Sequence, residues 1–455
     1  MKTVWDKMSD AKMKKVMHFA EDYKDFLNRG KTEREQVRES IKEAEKKGYK
    51  NLFETEHLKA GDKVYVNNRN KSLCLFVIGK KPLKEGMNIL GAHIDSPRLD
   101  IKQNPLYEES GIALLDTHYY GGIKKYQWVA QPLALHGVVC KKDGTVVDIC
   151  IGEKDDDPVV GISDLLIHLA QEQMKKPGAT VVEGEDLNIT VGSLPLKGKK
   201  ENPVKENVLA LLKEKYDIEE DDFISAEIEV VPAGKARDYG LDRSMVFAYG
   251  QDDKICAYTS LMALLDSEDV PERTSCCILV DKEEVGSQGN TGMQSAFFEN
   301  AIAEMLDRAG EYSELNVRRC LTNSRMLSSD VSAGFDPNYA SVFESKNAAY
   351  LGKGIVFNKY TGARGKSGCN DANAEFIGKL RHVMDKNKIA FQTAELGRVD
   401  VGGGGTIAYI LANLNMDVID AGIAVQNMHA CYEGSSKADL YEGYLAYKAF
   451  LKDMD

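Results

Sequence analysis

The order of apolar and polar residues along the chain predicts an α/β protein. Apolar residues recur at helical spacing between residues 10 and 28, and Thr32 with Glu35 forms a capping box that opens a second helix. Short apolar runs, partly β-branched, are typical of buried strands. Such runs lie at 64–66, 73–78, 87–90, 276–280 and 418–425, and helical patterns alternate with the later ones, at about 254–266, 293–308 and 438–452.

The sequence pattern changes between residues 101 and 240, where short strands predominate. An Asp-Gly turn at 143–144 joins two apolar runs, which predicts a β-hairpin. Two more short strands, at 189–191 and 226–231, and one helix at 203–216 complete this part. We therefore expect a three-layer α/β domain with a mostly parallel sheet, formed by 1–100 and 241–455, and a β-rich domain, 101–240, inserted into it.

Composition excludes several classes of protein. With 455 residues, 43% hydrophobic and 29% charged, the chain suits an ordinary soluble protein of about two domains. It has no apolar run of 18 residues and no apolar core at its amino terminus, so neither a membrane span nor a signal peptide is predicted. Nine scattered cysteines suit a reducing cytoplasm. The net charge of −12 argues against nucleic acid or an anionic membrane as a partner.

Two adjacent carboxylates, Glu283 and Glu284, directly follow the strand predicted at 276–280. In open α/β sheets, binding sites lie at the carboxyl ends of the strands. There, one glutamate can bind a metal ion while its neighbour moves a proton. A solvated acidic loop is the competing interpretation, because the chain has 71 acidic residues.

Four other segments carry possible metal ligands at the ends of predicted elements. His93 is followed by Asp95, which could hold its tautomer, although a lone histidine is more often structural. The Asp252-Asp253 pair could equally be an N-cap with first-turn acid. Asp330 and His429 are uninformative alone. Together these side chains form a set of nitrogen and oxygen ligands suited to zinc, manganese or cobalt, and numerous enough for two ions.

The same segments resemble the M18 family of metallo-aminopeptidases, the aspartyl aminopeptidase family within the co-catalytic zinc peptidase clan. Five motifs appear in the family order between residues 91 and 429, so the resemblance covers nearly the whole chain. They are GAHIDSP at 91–97, DD at 252–253, EEVGS at 283–287, SD at 329–330 and MH at 428–429.

This resemblance implies a site with two divalent ions per subunit, most simply zinc. His93, Asp252 and Asp330 would hold one ion. Asp252, Glu284 and His429 would hold the other, so that Asp252 bridges the two.

The resemblance also implies the chemistry. Asp95 would orient His93, and Glu283 would be the general base that moves a proton from water to the leaving amine. The peptide bond between Asp252 and Asp253 is expected to be cis. The substrates would be peptides with a free amino terminus, from which the first residue is hydrolysed.

Assembly and specificity are further implications of the resemblance. The inserted domain would form dimers that build a tetrahedral shell of twelve subunits, and His136 would reach a neighbouring active site, unless it is only a packed sheet residue. Lys359 matches a substrate-pocket lysine of a family that prefers amino-terminal Asp or Glu. An acidic preference is therefore the expectation, but the tyrosine that follows this lysine in the family has no counterpart at 365–370, so a neutral or broader specificity is the alternative.

Two other functions are compatible with these residues. A deacylase on the same scaffold is disfavoured, because that class usually carries a small lid domain rather than a long insertion after Asp95. A metal-stabilised shell without catalysis is disfavoured by Glu283, since a structural site needs ligands but no spare base.

Overall fold

The protein is described by a computed structural model that covers residues 2–454. It divides into two compact units. The first comprises the described residues of Met1–Asp95, Ala236–Met428 and Glu433–Asp455, and the second comprises Ser96–Lys235 and His429–Tyr432. The unit boundaries lie about five residues before those predicted from the sequence, and the return of 429–432 to the second unit is not foreseen by the sequence pattern.

The first unit begins with two helices whose amino termini are capped by side chains. The Ser9 hydroxyl accepts from the backbone of Lys12, and Thr32 and Glu35 form the predicted capping box, which is confirmed. The elements are α1 (Asp10–Arg29), α2 (Glu33–Lys46), β1 (Lys50–Asn51), β2 (Lys63–Asn68), β3 (Ser72–Val77) and β4 (Met87–His93).

The second unit is a six-stranded antiparallel sheet with one α-helix. Its elements are β5 (Arg98–Glu109), β6 (Ile112–Tyr120), β7 (Leu133–Cys140), β8 (Val146–Ile151), β9 (Ile189–Gly192), α3 (Pro203–Tyr216) and β10 (Ala226–Pro232). The predicted hairpin is confirmed as β7 and β8. The long strands β5 and β6 escape sequence prediction, because β5 contains Pro105 and their pairing is interrupted by a bulge between Ile101 and Leu106.

The remainder of the first unit alternates strands with helices, as the sequence predicts. Its elements are β11 (Arg237–Tyr239), β12 (Met245–Ala248), α4 (Gln251–Leu265), β13 (Thr274–Val280), α5 (Phe297–Arg308), α6 (Glu314–Asn323), β14 (Arg325–Ser328), β15 (Ser332–Ala333), β16 (Ile355–Asn358), α7 (Ala374–Lys386), β17 (Phe391–Thr393), α8 (Ala408–Ala412), β18 (Asp417–Gly422), β19 (Ala424–Gln426), β20 (Glu433–Ser436) and α9 (Lys437–Asp453).

A nine-stranded sheet in the order β1-β2-β3-β13-β4-β14-β18-β16-β17 forms the centre of the first unit. The central strands β13, β4, β14 and β18 are mutually parallel, whereas β16 runs antiparallel to β18. Alternate residues of one strand enter different cores: Leu279 packs with α1, α4, α7 and α9, and Ile278 packs with α5, α6 and α8. This alternation establishes the three-layer α/β architecture, which confirms the predicted fold class.

A second sheet of the first unit has the order β11-β12-β20-β19-β15 and joins short strands from distant parts of the chain. Its strands β12 and β20 are antiparallel, with Ala248 opposite Glu433. Across residues 2–454, every helix is too short or too polar to cross a membrane.

One ionisable side chain lies in the middle of the large sheet. Asp420 of β18 is flanked by Ser328 of β14 and Asn358 of β16, and only 3% of its surface is exposed. Burial raises the pKa of Asp420 to about 6, and the nearby hydroxyls of Thr406 and Ser328 only partly oppose this shift. The folded state therefore takes up a proton at Asp420 at a higher pH than the unfolded chain does.

This shift predicts a specific pH dependence of stability. Because the folded pKa is the higher one, the buried carboxyl destabilises the fold as pH rises from about 4 to 7, on the order of 2–3 kcal/mol in full. Asp420→Asn should remove that component. We expect the free energy of urea unfolding of the wild type to fall relative to Asp420→Asn between pH 4.5 and 7.5. Parallel pH profiles of the two proteins would contradict a raised pKa.

Candidate metal centre

The carboxyl ends of three parallel strands bring histidine and carboxylate side chains to one edge of the large sheet. His93 is the last residue of β4, Asp330 follows β14 by two residues, and Glu283 with Glu284 lies in a 3-10 turn just after β13. Parallel strands end at a common edge, so their terminal side chains converge there. The strand register brings the starts of these connecting segments together at the same edge.

Two groups of possible metal ligands share His93. In each group one ligand atom per residue lies within 4.8 Å of the others: His93, Asp253 and Asp330 form one group, and His93, Asp252 and Glu284 form the other. The imidazole Nε2 of His93 lies 3.1 Å from Oδ1 of Asp252. Four of the residues predicted as ligands are thus brought together, but His93 rather than Asp252 is common to both groups.

Asp95 connects the histidine to the glutamate turn. Its two carboxylate oxygens accept hydrogen bonds from the backbone N–H groups of Glu283, at 3.1 Å, and Glu284, at 3.2 Å. Its carbonyl oxygen lies 3.0 Å from Nδ1 of His93. Asp95 therefore orients the ring and both glutamates at once, while Oε2 of Glu283 lies 3.9 Å from Nε2 of His93.

The electrostatics of this cluster favour a bound cation. Burial raises the pKa of Asp253 and of Asp330 well above the usual value, and the neighbouring carboxylates raise that of Asp330 further. Burial alone would lower the pKa of His93, but hydrogen bonds with Asp252 and Asp95 raise it well above its usual range. These shifts show an excess of carboxylates over cations, which a divalent ion would balance, and oxygen and imidazole donors without sulfur suit zinc, manganese or cobalt.

The start of α4 departs from helical geometry where it meets the cluster. The peptide bond between Asp252 and Asp253 is cis, which confirms the expectation drawn from the family resemblance. The backbone angles of both residues are non-helical, with ψ of 108° at Asp252. Sequence reasoning missed the part of Asp253 in the cluster, and it missed Glu433, whose carboxylate accepts the N–H of Asp252 at 2.9 Å.

Three predicted site residues lie outside these groups. His429 belongs to the second unit, where its Nδ1 lies 2.8 Å from the carbonyl oxygen of Gly122. His136 is buried in β7, with Nε2 3.0 Å from Oε1 of Glu153. Lys359 follows the antiparallel strand β16, and its Nζ lies 3.3 Å from Oδ1 of Asp371. The roles of these residues in the site remain predictions.

Comparison with known proteins identifies relatives over the full length of the chain. A sequence model described as "Aminopeptidase I zinc metalloprotease (M18)" matches residues 26–451. A Clostridium acetobutylicum protein named M18 family aminopeptidase 1 is 62% identical, with 99% of this chain and 98% of the relative covered. The crystal structure of an M18 aminopeptidase from Thermotoga maritima superposes with a TM-score of 0.96 at 45% identity, and aminopeptidase I from C. acetobutylicum gives 0.93 at 58%; each match covers 99% of both chains.

Gly422, the last residue of β18, packs closely against the backbone of Asp330. A Cβ atom at position 422 would stand 1.7 Å from the carbonyl oxygen of Asp330. Gly422→Ala should therefore push the Asp330 segment outward and destabilise the fold by about 1–3 kcal/mol. The measurement is the free energy of urea unfolding.

Gly378→Ala is the matched control for this variant. Gly378 lies on the exposed face of α7, and a Cβ there would meet nothing within 4 Å. We expect this change to stabilise the protein by roughly 0.5–1 kcal/mol, because alanine is the better helix former. Equal stability of Gly422→Ala and the wild type would show that the approach to Asp330 is not a constraint.

Proposed function

We propose, from the premise that the chain belongs to the M18 family of zinc metallo-aminopeptidases, that the edge cluster is the active site and uses two divalent ions per subunit. The observation that carries the proposal is the pair of ligand groups that share His93, beside a glutamate that neither group uses as a ligand. The reaction is the hydrolysis of the first residue from peptides with a free amino terminus.

The residues of the cluster fit two zinc ions by their donor chemistry. His93, Asp252, Glu284 and Asp330 would hold the ions, with His429 as a further ligand. Bound zinc lowers the pKa of water and polarises a carbonyl group. Asp253 belongs to the same buried set, and its carboxylate oxygen Oδ2 accepts the backbone N–H of His93 at 3.3 Å. The bridging role of Asp252 remains part of the proposal.

Glu283 is proposed as the general base. It accepts a proton from the attacking water and passes it to the amine that leaves, a task for which a carboxylate next to the reacting atoms is suited. Asp95 holds the Glu283 backbone and the His93 ring in place through the contacts described above. The carboxylates of the site would also pair with the α-ammonium group of the substrate, which restricts cleavage to the chain end.

For the first residue of the substrate we propose a neutral or broad preference rather than an acidic one. Lys359 is the candidate that would attract an acidic side chain, but its Nζ lies 3.3 Å from Oδ1 of Asp371. Lys366 shares the same carboxylate, at 2.9 Å. Because Asp371 already pairs with Lys359, this ammonium group is less available to a substrate carboxylate.

We also propose that the protein forms homo-oligomers through the second unit, with a dodecamer as the expected form. The mApe1 dodecamer of S. cerevisiae shares the fold, with a TM-score of 0.77 at 20% identity. Exposed apolar side chains of the second unit favour an interface there, because a soluble monomer rarely presents them as a group. They are Leu165, Leu166, Ile167, Leu169 and Met174, between 48% and 70% exposed.

The role of Glu283 is tested by a pair of conservative variants. Glu283→Gln removes the base but keeps the size of the side chain, so kcat should fall by about 10²–10⁴ while zinc stays bound. Glu284→Gln removes a ligand instead and should lower the zinc content. The measurements are turnover of a chromogenic amide and metal content by elemental analysis.

The two variants are expected to differ in zinc content, which only Glu284→Gln should lower. The measurement can therefore reject either assignment. Loss of zinc in Glu283→Gln would make Glu283 a ligand rather than the base. Full metal content and full activity in Glu284→Gln would remove Glu284 from the ligand set.

The substrate class is tested with a panel of amino-terminal residues on one chromogenic amide, with a chelator and metal add-back as controls. Because Lys359 is already paired with Asp371, we expect leucine to be cleaved roughly tenfold or more faster than aspartate. Faster cleavage of aspartate would reject the neutral preference.

A blocked substrate separates the aminopeptidase from a deacylase on the same scaffold. Acetylation of the leucine substrate should stop release of the chromogenic amine, because the α-ammonium group is lost. Continued release would contradict exopeptidase action, and release of acetate would indicate a deacylase.

A further inference from the structure

The amino-terminal end of α4 needs a hydrogen-bond acceptor from outside the helix. Gly250 has a φ of +69°, and Asp252, with non-helical backbone angles, lies in the first turn of α4, whose N–H groups are satisfied from outside the helix. Oε2 of Glu433 accepts this N–H at 2.9 Å. Both residues are buried, with 3% of Asp252 and 1% of Glu433 exposed. A single glutamate thus satisfies the backbone N–H of Asp252, a proposed metal ligand.

The backbone of Glu433 is itself held by the residue before Asp252. Its carbonyl oxygen accepts a hydrogen bond from Nε2 of Gln251 at 2.6 Å, and the same Nε2 reaches the carbonyl oxygen of Val246 at 3.2 Å. Oε1 of Gln251 accepts the hydroxyl of Ser435 at 2.5 Å. Since Glu433 and Ser435 lie on β20 and Val246 lies on β12, two paired strands clamp the turn that carries Asp252.

We infer that Glu433 is a positioning residue that sets the metal affinity of the site through the backbone of Asp252. Oδ1 of Asp252 lies 3.1 Å from Nε2 of His93, so a small rotation of the Asp252 backbone would move this oxygen out of its ligand group. Groups that orient metal ligands typically contribute 10–100-fold to metal affinity. The inference rests on the proposed role of Asp252 as a ligand.

Two properties of Glu433 can be separated by substitution. Glu433→Gln keeps an oxygen at the same reach from the Asp252 N–H but removes the charge. Glu433→Asp keeps the charge but withdraws the carboxylate by one methylene, about 1.5 Å. If the hydrogen bond positions Asp252, the glutamine variant retains the affinity and the aspartate variant does not.

The experiment is a zinc titration of the metal-free full-length protein against a chromophoric chelator, with circular dichroism to confirm folding. We expect Glu433→Ala and Glu433→Asp to bind zinc about 10–100-fold more weakly than the wild type. Glu433→Gln should remain within about threefold of it. Thermal shift on zinc addition supplies a second readout that does not depend on turnover.

Glu442→Ala is the matched control. Glu442 on α9 is equally buried, and its Oε2 accepts a backbone N–H, that of Ala390, at 3.0 Å. Neither residue belongs to the ligand groups. Glu442→Ala should destabilise the fold, because it removes a buried hydrogen-bond acceptor, but it should bind zinc like the wild type. The control thus separates a general loss of stability from an effect on the site.

Several results would overturn the inference. Wild-type zinc affinity in a folded Glu433→Ala protein would do so, and so would rescue by aspartate without rescue by glutamine. If the alanine variant does not fold, the comparison of glutamine with aspartate decides the matter. Failure of the wild type itself to bind zinc would reject the proposed function instead, so the two failures are distinguishable.

Discussion

The burial of several carboxylates around one imidazole is the constraint on which the functional edge of this protein depends. Like charges at close range in a poorly solvated place raise each other's pKa, so such a cluster is unfavourable unless protons or cations balance it. The fold maintains the cluster with backbone hydrogen bonds to Asp95 and Glu433 and with the fixed register of parallel strands. Divalent ions would balance these carboxylates, and relief of their mutual repulsion would contribute to ion binding. The electrostatic balance of the domain would then include the metal.

The same constraint fits the division of labour proposed for the adjacent glutamates. Glu284 has a ligand atom within reach of His93 and Asp252, whereas Glu283 lies at the margin of the cluster. Two residues that share one turn therefore experience different surroundings. A base needs access to solvent and substrate, and a ligand needs a fixed direction. The turn after β13 would meet both needs of the proposal, because only Glu284 places an oxygen in a ligand group with His93.

Much of the fold is predictable from the sequence where the pattern is local. The run at 276–280 and the capping box at Thr32 are confirmed, and the helix at 203–216 has the bounds that its pattern indicates. Prediction fails for β5, where a proline and a bulge interrupt the alternation that marks a strand.

The candidate site is predictable in its composition but not in its pairing. Motif order identifies the strand ends that carry His93, Glu284 and Asp330, but only the side-chain positions in the structure show that Asp253 lies beside His93 and Asp330. The part of Glu433 could not be predicted from the sequence for a different reason. It is one acidic residue at the start of a strand, and the amide it accepts lies 181 residues away.

The position of Asp95 has a mechanical consequence for the site. One side chain and its own carbonyl contact the last residue of β4 and the turn that follows β13, two neighbouring strands of the same sheet. Sliding one strand against the other would break these contacts together, so the histidine and the glutamates behave as a single rigid body. A change at Asp95 would therefore displace the histidine and both glutamates together rather than one at a time.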